Sequence, residues 1–221
     1  MVPHIFTLRQ AGIPYTRTPD LTKVLGELTA HGRKAYVYGG YPRDTVCLGS
    51  TSRSGDIDVA MSLDDFLALK NPERDVRKMF TLHEPHLLFM LHQMQDDVFK
   101  NNARPIVLKL KPDIQADWGL SHPVGLTLFQ NNVPLADLVH DSDLGFCHIV
   151  DDGADVWIAD AFQNDFFNHT MMMIRAADAR AYARTIRRME DFMTTGYDGW
   201  KTVIPPELYK AFHKEAQQYL A

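Results

Sequence analysis

The sequence predicts an α+β protein: a small mixed β-sheet with helices packed on it and a short helical region at the C-terminal end. Three observations lead there. Short apolar or alternating runs of strand length recur through the first 160 residues. Helical stretches bounded by caps and glycines lie between those runs. From about residue 162 onward only the helical period is left. The expected division is therefore residues 1–160 as a sheet-bearing domain and 161–221 as a helical extension. At 221 residues, 45% of them hydrophobic, the chain can bury one core with a small appendage.

Taken in order, LTKVLGELTAHG (21–32) spaces its apolar residues helically, with Asp20 and Thr22 as candidate caps and Gly32 as the stop. KAYVYG (34–39) reads as a short buried strand, and YPRDTVCLG as a short helix ending at Gly49. STSRSG (50–55) is a loop. DIDVAM alternates as a strand, and SLDDFLALK (62–70) follows as a helix in which Ser62 and Asp65 fit a capping box. Between 71 and 105 a helix is expected around HLLFMLHQMQDDVF. PIVLKL (105–110) and VGLTLF (124–129) read as strands. Asn131-Asn132-Val133-Pro134 is expected to turn a hairpin into PLADLVH, read as a further strand, and VWIAD (156–160) is one more. AADARAYARTIRRMEDFMTTG forms one long amphipathic helix stopped by Gly196, and Pro205-Pro206 opens a last one.

The formal net charge of -5 excludes a broadly basic nucleic-acid coat and leaves room for a local basic groove. Cys47 and Cys147 lie far apart without CxxC spacing, which favours a reducing compartment. No run approaches the roughly 18 apolar residues of a membrane span. The start MVPHIFTLRQ lacks the layout of a secretory signal, so a cytoplasmic location is expected.

The segment VYGGYPRDTVCLGSTSRSGDIDVAM (37–61) carries the chemistry. Residues i and i+2 of a strand share a face, so Asp56 and Asp58 are expected to point the same way while Ile57 enters the core. Two carboxylates that close repel unless a cation sits between them. Mg²⁺ suits such a pair because it takes oxygen ligands and keeps positions for water and substrate phosphates. Gly39-Gly40 at a strand end lets backbone N–H groups approach phosphate oxygens, and a helix starting near Tyr41 adds its positive end. Asp137, expected inside a strand between Ala136 and Leu138, is the candidate third carboxylate of a two-metal site. Asp141 and Asp143 fall beyond that stretch, and Asp143 is the candidate cap of DLGFCHIV.

Other features are open to two readings. Arg43 can reach a triphosphate or its neighbour Asp44. Arg184, Arg187 and Arg188 share one side of the long helix and can clamp phosphates or pair with Glu190 and Asp191. His83 and His86 lack zinc spacing, with Pro85 between them and His92 further on, so no metal site is expected there. The Met171–Met173 run and Phe162, Phe166 and Phe167 read as packing, and Cys147 as an unactivated thiol.

Together these residues resemble the head of the polymerase-β-type nucleotidyltransferase superfamily, closest to the bacterial-type CCA-adding enzymes and poly(A) polymerases. The likeness rests on a strand, Gly39-Gly40, Arg43-Asp44, a loop, then Asp56-Ile57-Asp58. Softer matches are DLGFCHIVDDGADVWIAD (143–160), and Arg184-Thr185-Ile186-Arg187 followed by Gly196-Tyr197. Where the family has two arginines, this chain has Asp141-Ser142. The resemblance implies a compact member, phage-encoded or toxin-like, that moves a nucleoside monophosphate from an NTP to a hydroxyl and releases pyrophosphate. It implies two Mg²⁺ ions (or Mn²⁺) on Asp56, Asp58 and Asp137, with Gly39, Gly40, Arg43, Asp44, Arg184 and Arg187 at the nucleotide. The implied acceptor is an RNA 3′ end, tRNA among them, or a protein hydroxyl as in AMPylating toxins. A DxD metal-dependent glycosyltransferase and a non-catalytic nucleotide-binding module stay open beside this reading.

Overall fold

The computed structural model describes residues 4–49, 53–69, 76–82, 106–129 and 134–220. Its first half runs β1 (Ile5–Thr7), α1 (Pro19–Thr29), β2 (Ala35–Tyr38), α2 (Gly40–Leu48), β3 (Ile57–Ser62), α3 (Leu63–Leu67) and β4 (Phe80–Leu82). There follow β5 (Ile106–Leu110), α4 (Pro112–Asp117), β6 (Val124–Phe129), α5 (Leu135–Val139), β7 (Ile149–Asp151) and β8 (Val156–Ala159). The chain closes with α6 (Asp160–Asn168), β9 (Thr170–Met172), α7 (Ala179–Thr195), β10 (Lys201–Val203) and α8 (Pro206–Leu220).

Among the described residues eight strands make one sheet in the order β1-β8-β7-β2-β3-β6-β5-β4. Neighbours are antiparallel except β3 and β6, which run parallel, so the sheet is mixed, as expected. β3 is central and sorts its side chains by the two-residue period of a strand. Ile57, Val59 and Met61 join Val37, Leu126 and the apolar stripe Leu21, Val24, Leu25 and Leu28 of α1 in one cluster. Ala60 meets Leu138 and Val139 of α5 and Val150 in another. Asp58 shares Ala60's side of the strand.

Helix ends follow local chemistry. Thr18, not Asp20 or Thr22, caps α1: its hydroxyl accepts from the Leu21 N–H at 3.3 Å, with Pro19 at the first turn. The Asp20 carboxylate instead accepts the Ser121 N–H at 3.0 Å. Ser62 and Asp65 form the expected cap of α3, the Asp65 N–H donating to the Ser62 hydroxyl at 3.1 Å. Asp178 caps α7 through the Ala181 N–H, and Gly196 at φ 136° ends it. α7 and α8 bury Tyr182, Ala183, Met189 and Ala216 against Phe146, Tyr197 and Trp200.

PLADLVH is a helix, not a strand. Leu135, Leu138 and Val139 recur at i, i+3 and i+4, the spacing of one helical face, and that period prevails over the turn-like residues before it. The expected helix around HLLFMLHQMQDDVF, the histidines His83, His86 and His92, and the turn residues Asn131, Asn132 and Val133 lie outside the described residues. Among the described residues no helix is long and apolar enough to cross a membrane.

Candidate nucleotide and metal site

The site begins where β2 becomes α2. Gly39 takes φ 77° and ψ -134°, a conformation closed to residues with a side chain, and starts a helix of nine residues. Register places Tyr38 opposite Asp58 across the β2/β3 pair, and Asp58 opposite Gly125 across β3/β6. A Cβ on Gly39 would lie 3.5 Å from Asp58 Oδ2, and one on Gly125 3.4 Å from its Oδ1. Two glycines therefore flank the carboxylate. Gly39→Ala is expected to cost about 1–3 kcal/mol through its backbone conformation; a chemical melt that shifts by less than a quarter of that range would show the turn to be relaxed.

Asp58 lies within β3, but Asp56 sits in an exposed bend just before it, rather than in the strand as expected. Among the described residues neither carboxylate has a hydrogen bond or ion pair to protein. Burial, reinforced by the charge of Asp56, pushes the Asp58 carboxyl up to about 6. Burial also raises the Tyr38 phenol, with the charges of Asp58, Asp141 and Asp56 adding to it, so all three acids act on one hydroxyl.

Asp137 does not join them. On α5 it points to solvent, opposite the face carrying Leu138 and Val139, and among the described residues no group of three or more metal-ligating side chains comes together. The third carboxylate of the expected two-metal arrangement is thus not supplied from α5. Asp137→Ala should leave stability within about 0.5 kcal/mol of wild type, as at other exposed positions. Any activity assay is expected to move less than twofold, and a drop of a hundredfold would restore Asp137 to the chemistry.

Behind the glycine turn, Arg43 and Asp44 are buried rather than facing a ligand freely. Arg43 Nε donates to Asp44 Oδ1 at 2.7 Å and to the Tyr197 hydroxyl at 3.1 Å. Asp44 also accepts from Ser54 at 2.7 Å and Tyr197 at 2.6 Å. The guanidinium carbon lies 4.4 Å from the ring centre of Phe192, 5.2 Å from Phe146 and 5.7 Å from Tyr197. This cluster ties α2 to α7 and to the Gly196-Tyr197 corner. Of the two partners foreseen for Arg43, the structure shows Asp44.

A cavity of about 600 Å³ opens from Gly39-Gly40. Tyr38, Arg43, Leu138 and Cys147 line it, together with Asp141, Ser142, Asp143, Arg175 and one face of α7 that includes Arg184 and Arg188. Four arginines stand against two aspartates on these walls, a cationic recess in a chain of net charge -5. Burial works against the Asp143 charge, but the Thr185 hydroxyl and Arg188 hold its carboxyl below the usual range. Arg188 Nη1 lies 2.5 Å from Asp143 Oδ1. Arg175 donates to the Asp141 carbonyl at 2.6 Å. Arg187, expected at the nucleotide, turns away and donates to the Tyr219 carbonyl at the end of α8. Asp143 does not cap its segment; the Ser142 hydroxyl accepts the Leu144 N–H instead, at 3.2 Å. Arg175 and Thr185 went unforeseen. For Thr185 the signal was present, since it shares the Ala181, Arg184 and Arg188 face.

No protein-family model matches the chain, and no curated protein matches it. Solved structures do. The Bacillus stearothermophilus CCA-adding enzyme in complex with CTP matches over 91% of this chain and 45% of its own, with 16% identity and a TM-score of 0.53. The Thermotoga maritima CCA-adding enzyme complexed with tRNA matches over 97% and 47%, with 12% identity and a TM-score of 0.56. A CCA-adding enzyme in an apo form matches over 98% and 47%, with 13% identity and a TM-score of 0.55. The chain therefore shares the fold of these enzymes, the fold its motifs implied. Within that fold it is similar to CCA-adding enzymes, and it spans about half the length of those it matches.

Proposed function

We propose that the chain transfers a nucleoside monophosphate from an NTP to a hydroxyl at an RNA 3′ end and releases pyrophosphate. The observation that carries this reading is the cationic cavity beginning at Gly39-Gly40, beside Asp58 between its two glycines. The fold supports it, because structures sharing that fold were solved with CTP, with ATP and with tRNA. A protein-hydroxyl acceptor and a sugar-nucleotide donor find no support in these comparisons.

In the reaction the acceptor oxygen bonds to the α-phosphorus as the bond to the β-phosphate oxygen breaks, and the hydroxyl proton passes to solvent. Negative charge grows on the departing pyrophosphate. The N-terminal N–H groups of α2 and the backbone of Gly39 and Gly40 face the phosphates, and the positive charge of Arg188 on the cavity wall offsets theirs. Asp56 and Asp58 are the residues that would hold Mg²⁺ or Mn²⁺. They fit, being two mutually repelling acids without a hydrogen bond or ion pair among the described residues, and Mg²⁺ commonly takes one or two carboxylates plus substrate phosphates. A bound ion would supply charge neutralisation at the phosphates and acidify the acceptor hydroxyl. Sequencing RNA 3′ ends after incubation of the chain with RNA, Mg²⁺ and each NTP tests the proposal. Untemplated extension with equimolar pyrophosphate is expected. Transfer from sugar nucleotides without extension from NTPs would refute it.

A further inference from the structure

His140 closes α5 and His148 immediately precedes β7, and their imidazole rings meet edge to face with centres 5.3 Å apart. Both backbones are held in place. The His140 N–H donates to the Ala136 carbonyl at 3.1 Å and the His148 N–H to that of Gly145 at 2.9 Å. The His148 carbonyl accepts from the Ala159 N–H at 3.2 Å. His148 is 3% exposed and His140 is half-buried. This separation is ordinary for two aromatic rings, so the ring centres alone decide nothing. The nitrogens do.

His140 Nε2 and His148 Nδ1 are both buried, and neither has a hydrogen-bond partner among the described residues. Buried polar atoms are rarely left so. On His148 the other nitrogen settles what kind of group remains. Its Nε2 lies 3.0 Å from the Ser142 carbonyl, which only accepts, so Nε2 carries the proton. Burial, with His140 and Arg175 nearby, holds the His148 imidazole below its ordinary range, and Nδ1 keeps a bare lone pair. A bond from His140 to that lone pair would satisfy both nitrogens at once, yet the two rings touch without making it.

Metal-ligating histidines share this arrangement: one ring nitrogen donates to a backbone carbonyl, which fixes the tautomer and leaves the other free for the ion. With Zn–N bonds of about 2.1 Å and a tetrahedral angle between them, the centres of two coordinated imidazoles stand about 5 Å apart. The 5.3 Å found here agrees. We propose that His140 and His148 are two ligands of a site for a late first-row divalent ion such as Zn²⁺. Imidazole suits these ions and Mg²⁺ prefers oxygen, so the site is chemically separate from Asp56 and Asp58. No third His, Cys, Asp or Glu joins the pair among the described residues, so water completes the coordination shell. The segment between the two histidines carries Asp141, Ser142, Asp143 and Cys147, all on the cavity wall. An ion bridging its ends fastens that wall to the sheet, whatever the cavity holds.

The test is calorimetric titration of the EDTA-treated, desalted full chain with ZnCl₂, for wild type, His140→Ala, His148→Gln and Asp58→Asn. Wild type should take up Zn²⁺ that a large excess of Mg²⁺ does not displace, and its melting temperature should rise with the ion. Each histidine variant should weaken that uptake at least about tenfold and lose the rise, since removing even an outer partner of a ligand costs about that much. Asp58→Asn should keep both. Melts of the metal-free variants show which are folded, and the half-buried His140 keeps the test decisive if a change at His148 disturbs the core. Uptake in folded His140→Ala equal to that of wild type overturns the proposal. So does uptake lost in Asp58→Asn or displaced by Mg²⁺, which would place the ion on the acids, and so does a wild type that binds no Zn²⁺.

Discussion

Asp58→Asn is expected to abolish nucleotidyl transfer while raising the melting temperature of the metal-free protein at pH 7. The loss should be at least ~10³-fold, since an ion at the transferring phosphate contributes several kcal/mol and each 1.4 kcal/mol is a factor of ten. The gain in stability follows from linkage. Burial and Asp56 lift the Asp58 carboxyl from its ordinary 3.8 to about 6, so the folded chain holds this proton more tightly than the unfolded chain does. Below about pH 4 both states are protonated and the group costs nothing. Between about 4 and 6 the unfolded chain ionises first and stability falls. Above about 6 the full penalty stands. Asparagine lacks the titration, so the two proteins should melt together near pH 4 and diverge toward neutrality, with the variant higher. Added Mg²⁺ should narrow the gap by stabilising wild type only. An asparagine variant that melts lower than wild type at pH 7 without metal would mean that the carboxylate is held by protein contacts instead.

Arg43→Leu is expected to destabilise the fold by about 3–5 kcal/mol, because it strands the buried Asp44 carboxylate without its cation. For a chain of this size that is a drop on the order of 10 °C in melting temperature. The guanidinium also faces the rings of Phe146, Phe192 and Tyr197, so Arg43→Lys should fall between the two, retaining charge but not planar contact. The double variant Arg43→Leu, Asp44→Leu should regain much of the loss, since the largest cost is the stranded acid rather than a missing attraction. Thermal melts of the four proteins decide it. If Arg43→Leu melts within 2 °C of wild type, α2 is not fastened to α7 through this residue.

The parts of the fold legible in sequence were those written in local chemistry. Strand-length apolar or alternating runs predicted β2, β3, β5, β6 and β8, and the Ser62 to Asp65 spacing predicted the start of α3. The glycine turn with its two acids stood out because its residue types are unusual together within 25 residues. The errors share a cause. In PLADLVH the preceding asparagines and proline suggested a hairpin, although Leu135, Leu138 and Val139 already carried a helical period; Asp137 lost its place with that reading. Long-range partners leave no local mark. Arg43 is enclosed by rings more than 100 residues away, and Arg187 is drawn off by the carbonyl of Tyr219, 32 residues on. The short strands β1, β9 and β10 were missed for the same reason: at three residues each they have no period to read, and pairing alone defines them.

The most direct test of the paired acids beside the glycine turn is Mn²⁺ titration by electron paramagnetic resonance, with and without a non-hydrolysable NTP analogue. Wild type should take up the ion tightly once the analogue is present, and Asp58→Asn should not. Equal uptake by both proteins, or tight uptake that ignores the nucleotide, would place the cation elsewhere and contradict the proposed chemistry.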